Sequence, residues 1–146
     1  MEINGLPAHA LLVHLVVVLL PLTALAATAV SVWPAAQRKL TFLVPLGAAV
    51  CLAAVPVTTR AGTDLASRLG DPAFLDHHRS LGSMVLPWAA ALAVTTVGQW
   101  LLLRRDHPGR RLRIVVGALV VASAVGTTVI VALTGDAGAQ AVWGNR

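Results

Sequence analysis

The chain has no tyrosine, one cysteine, two phenylalanines and two methionines, and only 12% of its 146 residues are charged. Each scarcity excludes something. Without tyrosine and with 4% aromatic residues, a tyrosyl-radical site or an aromatic cage for cations is not expected. The single cysteine, Cys51, rules out an intramolecular disulfide and, lying inside an apolar run, reads as a small packing residue. There is no C-x-x-C-H for c-type haem, no glycine-rich phosphate loop and no G-x-S-x-G nucleophile motif.

What is present in excess is aliphatic. Apolar residues make up 57% of the chain and mean hydropathy is +0.79, outside the range of soluble domains. The net charge of +5 does not suggest nucleic acid, because the basic residues sit in short connections with no stacking aromatics among them. Four apolar runs lie at about 10–33, 40–58, 81–103 and 112–134. Each reaches or approaches the roughly 20 residues that cross a hydrocarbon core about 30 Å thick. The expectation is an all-α integral membrane protein, one domain over 1–146, with a four-helix transmembrane bundle spanning about 8–33, 40–58, 78–103 and 112–134. Pro45 and Pro56 in the second run predict a kink or an early end there. The first run lacks a positive flank and is too long for a signal-peptide core, so it is expected to remain in the mature protein.

Orientation follows from the cations. "PAAQRK" and "RRDHPGRRLR" hold Arg38, Lys39, Arg104, Arg105, Arg110, Arg111 and Arg113, seven of the eleven, and should face the cytoplasm. The N-terminus, the segment from Thr58 to Ser80 and the tail "TGDAGAQAVWGNR" then lie on the other side, with five of the six acidic residues. Both termini are predicted to be extracytoplasmic, in the plasma (inner) membrane. In the long outer connection, "TDLASRLG" reads as a short helix with Thr63 as N-cap, and Asp71–Pro72 as the start of another. Asp136 in "TGDAG" reads as a turn. Trp33, Trp100 and Trp143 stand near run ends as interfacial anchors, whereas Trp88 sits deeper. Runs one and two, and runs three and four, form similar hairpins, which suggests two parallel copies about an axis along the membrane normal.

That topology gathers His9, His14, His77, His78, Asp64 and Asp136 on one side and leaves His107 on the other. His14 lies on the order of 10 Å along the first helix, deep enough to need a polar partner, and polar groups at that depth tend to face the bundle interior. His9 and His14 are five residues apart, about 140° around a helix, and His77 and His78 about 100° apart, so neither pair chelates one ion from one face. The economical arrangement is one imidazole from the first helix and one from the third, His14 and His78, meeting across the bundle, with His9 and His77 nearby. Opposed histidines on membrane helices suit haem b as axial ligands, with Arg60, Arg68 or Arg79 available to its propionates. His9, His14, His78 and Asp64 could instead hold Zn or Cu, or relay protons. An interhelical hydrogen bond is the plainer role for His14, and a surface or capping role for Asp64. The functional alternatives are an electron-transfer protein, a proton or metal-ion translocating or sensing protein, and a cofactor-free accessory subunit of a larger complex; a stand-alone enzyme is the less expected outcome. Implied partners are the lipid bilayer, an extracytoplasmic redox protein or larger membrane complex, and a second copy of the chain.

The stretches "NGLPAHALLVHLVVVLLPL", "RAGTDLASR", "HHRSLG" and "LTGDAGAQAVWG" together resemble a bacterial multi-pass membrane family, domain of unknown function 2231. Its pattern of a G-x-P-x-H-P-x-x-V-H opening, a G-x-x-D, a histidine before the third helix and a late T-G-x-x-G falls on His9, His14, Asp64, His78, Gly135 and Gly138. Ala10 stands where the family commonly has proline. The resemblance implies a four-helix membrane fold, and joining of some members to Rieske-type or other redox domains implies electron transfer near the outer face. It implies no specific reaction.

Overall fold

A computed structural model describes the backbone of residues 2–3, 6–68, 70 and 72–143, with side chains from Leu12 onward except those of Phe74, Ala141 and Val142. Two residues of β1 (Glu2–Ile3) pair antiparallel with β2 (Leu6–Pro7). The elements that follow are helical: α1 (Ala8–Val32), α2 (Pro34–Leu40), α3 (Leu43–Arg68), a single 3₁₀ turn (Ala73–Leu75), α4 (Asp76–Leu103) and α5 (Arg110–Trp143). α1, α3, α4 and α5 are each long and apolar enough to cross a bilayer. In hydrocarbon a helix is the form that satisfies its own backbone polar groups, so uncharged runs of this length are driven into it.

The short helix α2 replaces the expected simple loop at the basic end. Pro34 starts it, where a missing N–H costs nothing. The Gln37 amide donates to the Val30 carbonyl, which the end of α1 leaves unpaired (2.9 Å).

α3 does not end at Pro56. It continues to Arg68, because its buried face, Ala48, Cys51, Val55, Thr58, Ala61 and Ala66, runs unbroken past the proline. The expected short helix capped by Thr63 is therefore part of α3, and the Thr63 hydroxyl bonds back to the Thr59 carbonyl (3.1 Å) instead of capping. Asp71 lies outside the described residues; the 3₁₀ turn begins after Pro72. At the other end of the chain, "TGDAG" is not a turn but lies within α5, where Gln140 Nε2 donates to Asp136 Oδ2 one turn away (2.8 Å).

α1 packs on α3 and α5, and α4 likewise packs on α3 and α5, so α1 and α4 stand diagonally. Small residues let the backbones approach: Ala24, Ala27, Ala48 and Ala89 are almost wholly buried, while Val18, Leu25 and Val94 face outward, as a bilayer solvent permits.

The hairpin repeat is visible in the core. One offset along the chain carries the buried Leu20, Ala24, Ala27 and Val30 of α1 onto the buried Leu92, Thr96, Gln99 and Leu102 of α4. The same offset carries Ala48, Cys51, Val55 and Thr58 of α3 onto Val120, Ser123, Thr127 and Ile130 of α5. Diagonal placement of corresponding helices is what two hairpins about a common axis produce. Even the polar contacts repeat: Thr23 Oγ1 faces Cys51 Sγ (4.0 Å) in the first hairpin and Thr95 Oγ1 faces Ser123 Oγ (2.9 Å) in the second.

Candidate functional site

The bundle has a basic end, with Arg38, Lys39 and the arginines from 104 to 113, and a histidine end, with Asp64, His77, His78 and Asp136. At the histidine end, His78 occupies the first turn of α4 and is half-buried. Its Nδ1 lies 3.0 Å from the Thr134 carbonyl of α5. A carbonyl only accepts, so Nδ1 carries the proton and Nε2 of the neutral ring is left with the lone pair.

Gly138 makes this approach possible. A Cβ added at Gly138, one turn beyond Thr134, would sit 3.2 Å from both Cε1 and Nδ1 of His78, tighter than ordinary contact. One turn along α4 from His78, a Cβ at Gly82 would meet Thr134 Cγ2 at 3.9 Å. Residues from "HHRSLG" and "LTGDAGAQAVWG", far apart in sequence, thus meet as one helix contact: His78 and Gly82 against Thr134 and Gly138. Gly135 takes no part, since a Cβ there meets nothing within 4 Å.

The other candidates are placed differently. His77 is exposed, as its neighbour's inward position requires. His14 is exposed as well, rather than facing the bundle interior. The inward stripe of α1 is set by Val16, Leu20, Ala24 and Ala27, and His14, two residues before Val16, is about 200° away from it. With α1 and α4 diagonal and His78 turned onto α5, the bundle interior does not bring His14 and His78 face to face. The side chain of His9 lies outside the described residues. Asp64 is exposed on α3, with Arg68 Nη2 at 3.4 Å from its Oδ2, and Arg79 Nη1 lies 3.9 Å from Asp76 Oδ1. Exposed pairs of this kind contribute little to stability. Among the described residues, no three of His, Cys, Asp and Glu converge as a metal-binding group. His107 is exposed in the basic loop.

Sequence reasoning missed a set of interhelical polar contacts inside the bundle. Besides the Thr95–Ser123 pair, Gln99 Nε2 donates to Ser31 Oγ (2.9 Å) and Thr127 Oγ1 donates to the Trp88 carbonyl (3.1 Å). Scattered Thr, Ser and Gln in apolar runs were the signal, since such groups in hydrocarbon seek partners across helices.

No curated protein and no solved structure matches the chain. A family model does, over residues 5–146: it is described as "Predicted membrane protein (DUF2231)". Its extent takes in the opening segment, all four long helices and Gly138, which receives His78, so the chain belongs to this membrane protein family.

Proposed function

We propose that this chain is a small electron-transfer protein that holds haem b at the histidine end of its bundle, with His78 as the residue positioned to hold its iron. The observation that carries the reading is the His78 Nδ1–H to Thr134 carbonyl bond at 3.0 Å. Ligand histidines characteristically donate one ring nitrogen to a carbonyl or carboxylate, which orients the ring and raises the basicity of the other nitrogen. Haem supplies one-electron redox chemistry and asks for one or two imidazoles. Zn or Cu in a protein site usually asks for three or more converging donors, and among the described residues imidazoles and carboxylates do not gather in that way. The alternative reading, Zn or Cu held by His9, His14, Asp64 and His78, would need those donors to converge.

His9 and His14 on α1 are the further imidazoles that could reach the same group from outside the interior, while His77, adjacent to His78 and about 100° around α4, would lie beside the site and not across it. Arg60, exposed on α3, is available to a propionate. By the positive-inside rule the basic end faces the cytoplasm of a plasma membrane, which puts both termini and the histidine end outside. The electron partner is then an extracytoplasmic redox protein or a larger membrane complex.

The test is absorbance of protein purified in detergent from a haem-replete host, oxidised and reduced. The expected result is a Soret band that sharpens and shifts on reduction, is lost in His78→Ala and persists in His107→Ala. Colourless wild-type protein would refute the haem reading and return the accessory-subunit alternative.

A further inference from the structure

A cavity of about 720 Å³ opens at the basic end, where α1, α4 and α5 meet and away from every histidine of the opposite end. Its volume is that of a ligand site. The lining is divided along its length. Arg110 and Arg113, three residues apart and on one face of α5, stand at its mouth, and Gly117, Val121 and Ala122 continue inward from them. Gln99, buried on α4, adds a polar group in the wall, held by its bond to Ser31 Oγ.

We propose that this cavity binds an anionic phospholipid, its phosphate between Arg110 and Arg113 and an acyl chain along α5 toward Ala122. Three features point to a lipid and not to a soluble anion. From Arg110 to Ala122 the helix advances about 18 Å, close to the depth of one leaflet of a hydrocarbon core about 30 Å thick. The charge lies at one end only, where headgroups are. Apart from Gln37, Gln99 and Ser31, the remaining wall is apolar or small, which a free phosphate would not use. Basic pockets between membrane helices are a known physical solution for anionic headgroups, each cation near the surface contributing about five-fold in affinity.

The experiment uses the full chain reconstituted in vesicles of phosphatidylcholine with a minority of phosphatidylglycerol, then native mass spectrometry of the protein with its retained lipids. Retained phosphatidylglycerol should exceed its share of the vesicle. In R110Q/R113Q the enrichment should fall by about twenty-five-fold if the two contributions add. R105Q/R111Q removes two cations from the same region outside the cavity and should leave the enrichment in place. Ala118→Phe keeps both arginines and fills the apolar wall; it should also abolish retention, and it preserves the test if R110Q/R113Q fails to fold. Equal loss in R105Q/R111Q would overturn the proposal in favour of diffuse surface charge. Full retention in Ala118→Phe, or equal protection of the lipid-free protein from heat by inorganic phosphate, would overturn the lipid assignment.

Discussion

Gly126 is the position at which the packing of this bundle is most exposed to test. Trp88, too deep for an interfacial anchor, lays its indole across the backbone of α5, and a Cβ built on Gly126 would overlap Cζ3, Cε3 and Cη2 of that ring. The next residue locks the same register, Thr127 Oγ1 donating to the Trp88 carbonyl at 3.1 Å. Substitution Gly126→Ala therefore forces the indole from its place or α4 from α5. Overpacking of this kind costs about 1–3 kcal/mol, and an overlap with three ring carbons belongs at the upper end. Alanine is better than glycine in a helix by about 1 kcal/mol, so the expected net destabilisation is about 2 kcal/mol. Gly98→Ala is the control, because a Cβ there meets nothing within 4 Å and only the helix gain remains. Reversible unfolding in mixed micelles, followed by tryptophan emission and circular dichroism, gives both values. Trp88→Leu should cost stability alone but make Gly126→Ala tolerable, a coupling of 1 kcal/mol or more, within the usual range for contacting residues. Gly126→Ala as stable as Gly98→Ala, or additive with Trp88→Leu, would refute the close approach.

The repeated polar pairs make a graded prediction. In double-mutant cycles Thr95→Val with Ser123→Ala should show a coupling near 0.6 kcal/mol, typical of interhelical bonds in membranes, whereas Thr23→Val with Cys51→Ala should show almost none across 4.0 Å to a sulfur. The tautomer of His78 can be read without any cofactor. Nitrogen-15 NMR of histidine-labelled protein should find its neutral ring protonated at Nδ1, and Gly138→Ala, whose Cβ crowds that nitrogen at 3.2 Å, should weaken this preference while Gly135→Ala should not. An Nε2-protonated ring in the wild type would remove the basis for ligation by His78.

The four spans were legible because a bilayer leaves the backbone few choices, and apolar length alone then locates helices. Helix ends were not. Polar residues after Thr58 and after Thr134 read as loop because sequence counts their hydration, while the helices persist there on buried Ala61, Ala66 and Ala137, too small to register as a hydrophobic run. The histidine spacing established that His9 and His14 diverge, but not which turn of α1 faces inward; Val16 and Leu20 decide that, and aliphatic residues on every side of α1 hid the stripe. Trp88 was conspicuous by depth, yet its partner is a glycine, which carries no pattern of its own. His78 was legible as a candidate, and its receiving surface was present in "TGDAG", but a turn reading of that segment concealed that its glycines are spaced one helical face apart from a carbonyl.

The repeat bears directly on what the histidine end can do. The offset that superposes the two buried cores carries neither His9 nor His14 onto a histidine; it lands on Leu81 and Leu86. The polar core is therefore shared between the halves, whereas the contact that fixes His78 lies within the second hairpin, between α4 and α5. A symmetric pair of ligands facing each other across the axis is not what this bundle offers. His78 is fixed from inside the fold by Thr134 and Gly138, and His14 stands on the outer face of α1. Under the proposed haem reading, one imidazole would be oriented by the chain itself, and any further ligand would have to approach from an exposed direction. On that reading, removal of His78 should abolish binding, while substitution of an exposed histidine should alter the spectrum without abolishing it.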